Sequence, residues 1–485
     1  MIAWTVYLTF AGAVLALLVP RGLAKVVALA TAAAGFVVSL LAFFGSADAA
    51  AFQTITRVPW VSMLGMEFHL AADGISLTMA LVTGLTAVCA VLFSWDVEER
   101  PKEFFFWLLL VVGGSYGVFL SADLFLLLVF YELVIVPKYF LIAIWGSTNK
   151  EYGAMKLTLY SFFGGALALI GGIAAFATSG SLNLQELAQF NFTPELQAWA
   201  FPVTFLGFAV LAGIWPFHTW APTGHVAAPT AGSMLLAGIV MKLGAYGALR
   251  VAMNLFPQGY EMWRGSIAVL AVIGIVYAAA VALRQRDLKF VIGYSSISHM
   301  GFVLLGLATA NSLGAGGAVL QMFSHGVIAA LLFAVAGRMI YRRTHTRELD
   351  ELSRMNLGRA LPFAAFTFVI ASAASMGIPG FSGFAAEITI LIGTWRAFPM
   401  AVWIAGLGMV LVAAFTLHAL TKSFFGGDGV TRITSLQGLQ PEPISLPEKA
   451  GAVLLMLATL AVGVYPKLLL DRILPAVETM RWLQP

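Results

Sequence analysis

Charge is what this sequence has least of. Only 10% of its 485 residues are Asp, Glu, Lys or Arg, and 60% are hydrophobic; soluble proteins carry about a quarter charged residues. That balance excludes an ordinary water-facing globule and implies one membrane domain over 1–485 with lipid around it. Cysteine is nearly absent: Cys89, inside an apolar run, is the single copy. One thiol excludes disulfides, an iron–sulfur cluster or a cysteine zinc site built from this chain alone, so no cofactor or metal is expected on it. The net charge of +4 is too small to suggest nucleic acid. No basic stretch precedes the first apolar run, 2–18, and no cleavage site followed by a polar domain comes after it, so it reads as a retained span and not a signal peptide. No nucleophile has a neighbouring base, there is no His-Glu-x-x-His pair, and the glycines of 377–383 lie in a hydrophobic span with no strand before them. A protease, a cofactor enzyme and a nucleotide cradle all lack support.

What is present in quantity is long apolar runs. Runs of about 18 residues or more mark helical spans. They fall at 2–19, 24–44, 76–94, 104–121, 124–144, 157–178, 200–217, 230–253, 266–283, 290–309, 313–340, 360–395, 401–420 and 450–465. The fold class expected is thus all-α and polytopic, with fourteen crossings, the twelfth being a helix broken within 377–383. Loops near 45–75, 338–359 and 421–449 lack a core-like pattern. Lys and Arg set orientation. Alternate loops starting after the first span hold 18 of them, including Lys289, Arg338, Arg343, Lys422 and Arg432; the other side holds 7, including Arg57, Arg250 and Arg472. The split puts the richer side in the cytoplasm and both termini outside. Two blocks, 104–253 and 266–420, each hold five crossings, and the fourth in each is interrupted at Gly and Pro: Gly213 with Pro216, and Gly377 with Pro379. An odd number of crossings inverts one block against the other, and paired interruptions point to an inverted-repeat transporter with its path at the breaks.

Few ionisable groups fall inside spans, and each is costly there: about 2.5–3.5 kcal/mol for a centrally placed charge on insertion scales. They are Glu132 and Lys138 in the fifth span, Lys242 in the eighth, His299 in the tenth, His325 in the eleventh and Glu387 in the twelfth. Acids, amines and imidazoles spread over five helices can pass a proton, because each changes its affinity as its neighbour's charge changes. Each has a plainer reading as well. A lone helical histidine is commonly a hydrogen-bonded packing residue, Lys138 could snorkel to the interface, and His218 and His225 beside the first break either line a cytoplasmic inlet or satisfy loose backbone. His418 and Lys422 mark the water interface.

At these positions the sequence resembles the antiporter-like membrane subunits of respiratory complex I, of the M-chain (ND4) type. The resemblance runs from about 73 to 472 and is carried by FYELVIVPKYFL (130–141), PFHTW (216–220), APTAGS (228–233), KLGAYG (242–247), YSSISHMGF (294–302), MFSHG (322–326), HTRE (345–348) and GIPGFSGFAAE (377–387). It implies proton translocation coupled to quinone reduction, with Glu132 as the fifth-span acid, Lys242 as the central lysine, His299 and His325 as relays and Glu387 as the terminal acid. It also implies a bacterial inner membrane, L- and N-type neighbours, and FMN, iron–sulfur clusters and quinone in partner subunits. Glu387 and the HTRE stretch separate it from Mrp-type cation/proton antiporters; energy-converting hydrogenases and photosynthetic complexes share its motifs. One departure stands out. Where the family has a seventh-span lysine partnering the fifth-span acid, this chain has Leu211, which makes Lys138 the candidate substitute from within the fifth span.

Overall fold

The computed structural model describes residues 1–46, 49–426 and 442–483; Arg432 lies outside them. Lipid offers no partner to a backbone amide, so apolar runs close into helices that satisfy their own. The chain opens with α1 (Trp4–Leu18) and α2 (Arg21–Gly45), then a hairpin of β1 (Gln53–Val61) and β2 (Met66–Ala72). There follow α3 (Gly74–Leu92), α4 (Pro101–Leu120), α5 (Leu124–Trp145), α6 (Lys150–Ser179), α7 (Pro194–Ala212), α8 (Trp220–Ala227), α9 (Thr230–Met253) and α10 (Pro257–Leu283). The second half has α11 (Leu288–Ala308), α12 (Ser312–Thr344), α13 (Pro362–Ser375), α14 (Ser382–Ala397), α15 (Pro399–Phe425), α16 (Leu446–Val464) and α17 (Lys467–Glu478). Among the described residues twelve of these are long and apolar enough to cross a membrane, and α1 and α13 are shorter apolar helices.

The helical expectation holds, with one addition inside 45–75, a hairpin whose two strands pair antiparallel. Burial along β1 does not alternate, so periodicity gave no signal. The hairpin is held by docking: Leu70 bridges Ser121, and the Ala122 amide donates to the His69 carbonyl. Several loop charges are also misplaced by sequence. Lys289 is in the first turn of α11, Arg250 in α9, and Arg338 and Arg343 in α12; Lys289, Arg250 and Arg343 are buried. At Lys289 and Arg343 the helices run past their apolar runs and the extra turns bury their polar side chains, whereas Arg250 and Arg338 fall inside the runs themselves.

Both expected interruptions are present. Helix α7 stops at Ala212 with Gly213 at φ 88°, and the chain resumes as α8. Helix α13 stops at Ser375, Gly377 and Gly380 take φ 69° and 98°, and α14 begins at Ser382. A third was not foreseen. Helix α5 breaks at Val134 between Leu124–Leu133 and Ile135–Trp145, because Pro137 has no amide for the carbonyl four residues back and its ring crowds it.

The apolar cores of α9 and α12 are wholly buried, whereas α2 and α15 present most of theirs outward. The two central helices cross at glycines. A Cβ on Gly326 would lie 2.7 Å from the Gly238 carbonyl oxygen, and one on Gly238 would lie 3.3 Å from that of Gly326. Only hydrogen at these positions lets the backbones meet. Replacing Gly326 with valine should therefore destabilise the fold by about 1–3 kcal/mol, read as a lower melting temperature of the purified protein.

Candidate functional site: a row of buried ionisable groups

Lys242 sits mid-way along α9 with no exposed surface, between two stretches of wider π-turn, Leu236–Val240 and Ala248–Met253. Such turns recur at functional sites. Its ammonium donates to the Ala237 carbonyl inside the first π-turn and lies 2.7 Å from His325 Nδ1 on α12. The ammonium is the donor, so Nδ1 accepts and His325 carries its proton on Nε2, which has no protein partner among the described residues. The His325 and His299 ring centres are 5.5 Å apart. His299, on α11, uses both nitrogens: Nδ1 is 3.1 Å from Glu387 Oε1 and Nε2 is 3.1 Å from Ser375 Oγ. Glu387 stands on α14 just past the second interruption, and a Cβ on Gly377 would lie 2.8 Å from its Oε2. The break thus delivers Ser375 and Glu387 to one histidine, with Gly377 against the carboxylate. Lys242, His325, His299 and Glu387 are each at most 4% exposed.

The remaining candidates stand apart from that row. Glu132, half-buried, has its carboxylate against α6, where a Cβ on Gly165 would meet it. Lys138 does not snorkel. It is 2% exposed, its Nζ has no hydrogen-bond partner among the described residues, and it lines a small gap with Gly232, Leu235 and Leu236 of α9. Snorkelling fails because Lys138 lies on the side of α5 that faces Gly232, Leu235 and Leu236 of α9. The backbone of α7 at Leu211 lies against Gly244 of α9. His218 lies edge-on to Tyr277 and Tyr294. His225 is fully buried, with neither ring nitrogen partnered among the described residues, and lies within electrostatic reach of Lys242 and Lys289. His418 is exposed, and Lys422 pairs with Asp350 at 3.2 Å.

Sequence reasoning missed Lys289, whose Nζ donates to the Ala228 carbonyl at 2.9 Å and to Ser233 Oγ at 3.2 Å; Ser233 in turn donates to the His225 carbonyl at 2.8 Å. Lys289 closes the inner end of a cavity of about 380 Å³ that reaches exposed His345 past Thr230 and Arg338. The signal was available: Lys289 stands two residues past Asp287, whose side chain caps α11, so it belongs to the span. Also missed was the Asp73–Arg250 ion pair at 2.6 Å, with Tyr246 donating to the Phe119 carbonyl beside it. Among the described residues no three His, Cys, Asp or Glu side chains gather where they could hold a metal.

The family described as "NADH:quinone oxidoreductase/Mrp antiporter, TM" matches residues 121–413. The chain belongs to this family. The match holds both interruptions and every ionisable group of the row. NAD(P)H-quinone oxidoreductase chain 4 1 of Synechococcus elongatus is 38% identical over 445 residues, covering 90% of this chain and 82% of that one. NADH-quinone oxidoreductase subunit M of Rickettsia conorii is 38% identical over 382 residues, 78% of this chain and 76% of its own. A chain of respiratory complex I from Thermus thermophilus with bound NADH superposes with a TM-score of 0.90 at 28% identity, covering 100% of this chain and 99% of that one. This antiporter-like chain is therefore a multi-pass membrane protein of the complex I type.

Removing one member of a buried ion pair strands the other charge. Asp73→Ala should cost about 3–5 kcal/mol, while Asp73→Leu with Arg250→Met should recover most of it. Thermal unfolding of the two variants checks this.

Proposed function

We propose that this chain is the M-type membrane-arm subunit of a bacterial NADH–quinone oxidoreductase and carries protons along Lys242, His325, His299 and Glu387. The observation that carries the reading is the Lys242 Nζ to His325 Nδ1 contact of 2.7 Å, an amine and an imidazole in donor–acceptor contact out of reach of water. The redox chemistry belongs to partner subunits, which would hold FMN, iron–sulfur clusters and quinone, with L- and N-type chains as neighbours in the inner membrane. The 18-to-7 division of Lys and Arg favours fourteen crossings with both termini outside. The two interruptions favour blocks 104–253 and 266–420 as inverted repeats.

In this reading the cavity ending at Lys289 is the cytoplasmic inlet, and Ser233 and His225 lead from it to Lys242. A protonated Lys242 gives its proton to His325 Nδ1, and the ring releases the one on Nε2 towards His299. The 5.5 Å between ring centres leaves a single step for a water or a ring rotation to complete. From His299 Nδ1 the proton reaches the Glu387 carboxylate. A unit charge arriving about 7 Å from Lys242 would alter its energy by roughly 2 kcal/mol at an effective dielectric of 20, more than one unit of proton affinity. Modest charge movement nearby is thus enough to eject the proton. Identity with quinone oxidoreductase chains favours this assembly over a free-standing cation/proton antiporter.

The whole oxidoreductase carrying Lys242→Met, reconstituted in proteoliposomes, should assemble normally and lose NADH-driven proton uptake through this chain. Uptake equal to the parent's would remove Lys242 from the path. His325→Gln should fall to a similar level, because glutamine can hold the Lys242 contact but cannot accept a proton at one atom and release another.

A further inference from the structure

The row to Glu387 leaves Lys242 by way of α12, yet a shorter route lies along α9 itself. Lys242 and Tyr246 are four apart on a regular turn and share a face. Arg250, a turn further, reaches back to Tyr246 Oη with its Nε at 3.3 Å. Beyond Arg250, at the end of α9 that the proposed orientation puts outside, is a pocket of about 600 Å³ lined also by Phe52, Asn254 and Arg481. Polar side chains between a buried lysine and an open pocket are what a proton outlet requires.

The hydrogen bonds run the wrong way for one. A relay accepts a proton on one side and releases another on the far side. Tyr246 donates its hydroxyl proton to the Phe119 carbonyl at 2.8 Å, so its oxygen accepts from Ser76 Oγ at 3.0 Å and from Arg250 Nε. A carbonyl has no proton to release. Asp73 is equally committed: Oδ2 accepts from Arg250 Nη2 at 2.6 Å and Oδ1 from the Ser76 amide at 2.9 Å. Arg250 is 4% exposed, and its guanidinium lies over two rings, 4.3 Å from the centre of Phe52 and 5.4 Å from that of Tyr246. A guanidinium does not give up its proton in the working range, so the charge is permanent. The pocket adds Arg481, which donates to the Phe190 carbonyl and to Asn191 Oδ1, and among the described residues no carboxylate lines it.

From this arrangement we infer that Arg250 is a fixed positive barrier that closes the α9 route to protons. Asp73 and the two rings hold the guanidinium in place, and a proton on Lys242 is turned towards His325. The barrier presupposes the proposed proton path and adds to it what keeps protons in the outer pocket from reaching Lys242 directly.

The test uses the whole oxidoreductase in proteoliposomes, given a pH gradient and no NADH, so that passive leak is read and not pumping. Two neutral pairs, Asp73→Asn with Arg250→Gln and Asp73→Leu with Arg250→Met, each remove the charge without stranding its partner. Leak should rise about tenfold in either, because a positive charge so close opposes another by at least one unit of proton affinity. Arg250→Lys keeps the charge and should stay as tight as the parent. Adding Lys242→Met to a leaking pair should return the leak to the parent level, which a merely loosened bundle would not do. The barrier is overturned if an assembled neutral pair holds its gradient like the parent, if neither pair assembles, if Arg250→Lys leaks as they do, or if the leak survives Lys242→Met. Lys242→Met alone, driven by NADH, tests the path separately. Lost uptake beside tight neutral pairs leaves the path standing without the barrier, and undiminished uptake removes the path and the barrier with it.

Discussion

An ammonium group held where water cannot reach it, with one imidazole and one carbonyl for company, is the constraint from which the architecture follows. Lys242 can keep its proton only while His325 Nδ1 and the Ala237 carbonyl accept from it, so α9 and α12 must pass each other at backbone distance. The glycines at 238 and 326 make that approach possible. The second interruption serves the other end of the row, since an unbroken helix could not turn both Ser375 and Glu387 onto His299.

Buried charges here are of two kinds, and the difference lies in their partners. Asp73 with Arg250, and Glu448 with Arg338 and Arg343, are matched by opposite charge at 2.6–2.9 Å. They tie α3 to α9 and α12 to α16, and Glu448 also completes the capping box that starts α16. Such pairs hold the fold at fixed charge. Among the described residues Lys242, Lys138 and His225 have no acid in contact, and the Lys289 ammonium has the Ala228 carbonyl and Ser233. Groups so weakly compensated respond to a neighbour's charge, and they gather around α8 and the first half of α9.

Most of the helical fold could be read from composition, because lipid leaves a chain so few options. The breaks at 213–216 and 377–383 were legible for the same reason, each combining Gly and Pro in an apolar run. The hairpin was not, since its strands dock on α5 without alternating. Of the site, Lys242, His299, His325 and Glu387 stood out as ionisable groups with no other reason to be in a span, and the fold brings all four together. Lys289 was hidden by its place at a loop edge, where a basic residue ordinarily meets water. Lys138 was visible, yet nothing in its run of apolar neighbours showed that it would lie buried against α9.

The π-turn ahead of Lys242 has a meaning for how this helix should be numbered against others. Each residue of an α-helix advances the side chain by 100° and 1.5 Å, so one extra residue taken up in a wider turn barely lengthens α9 while swinging all that follows by more than a quarter-circle. The face of α9 that looks at α12 before Leu236 is therefore continued, beyond Val240, by positions that a regular helical wheel would assign elsewhere. Drawn as one uninterrupted wheel, the lysine would be plotted on the wrong bearing; drawn as arcs hinged at the two wide turns, it points at its histidine.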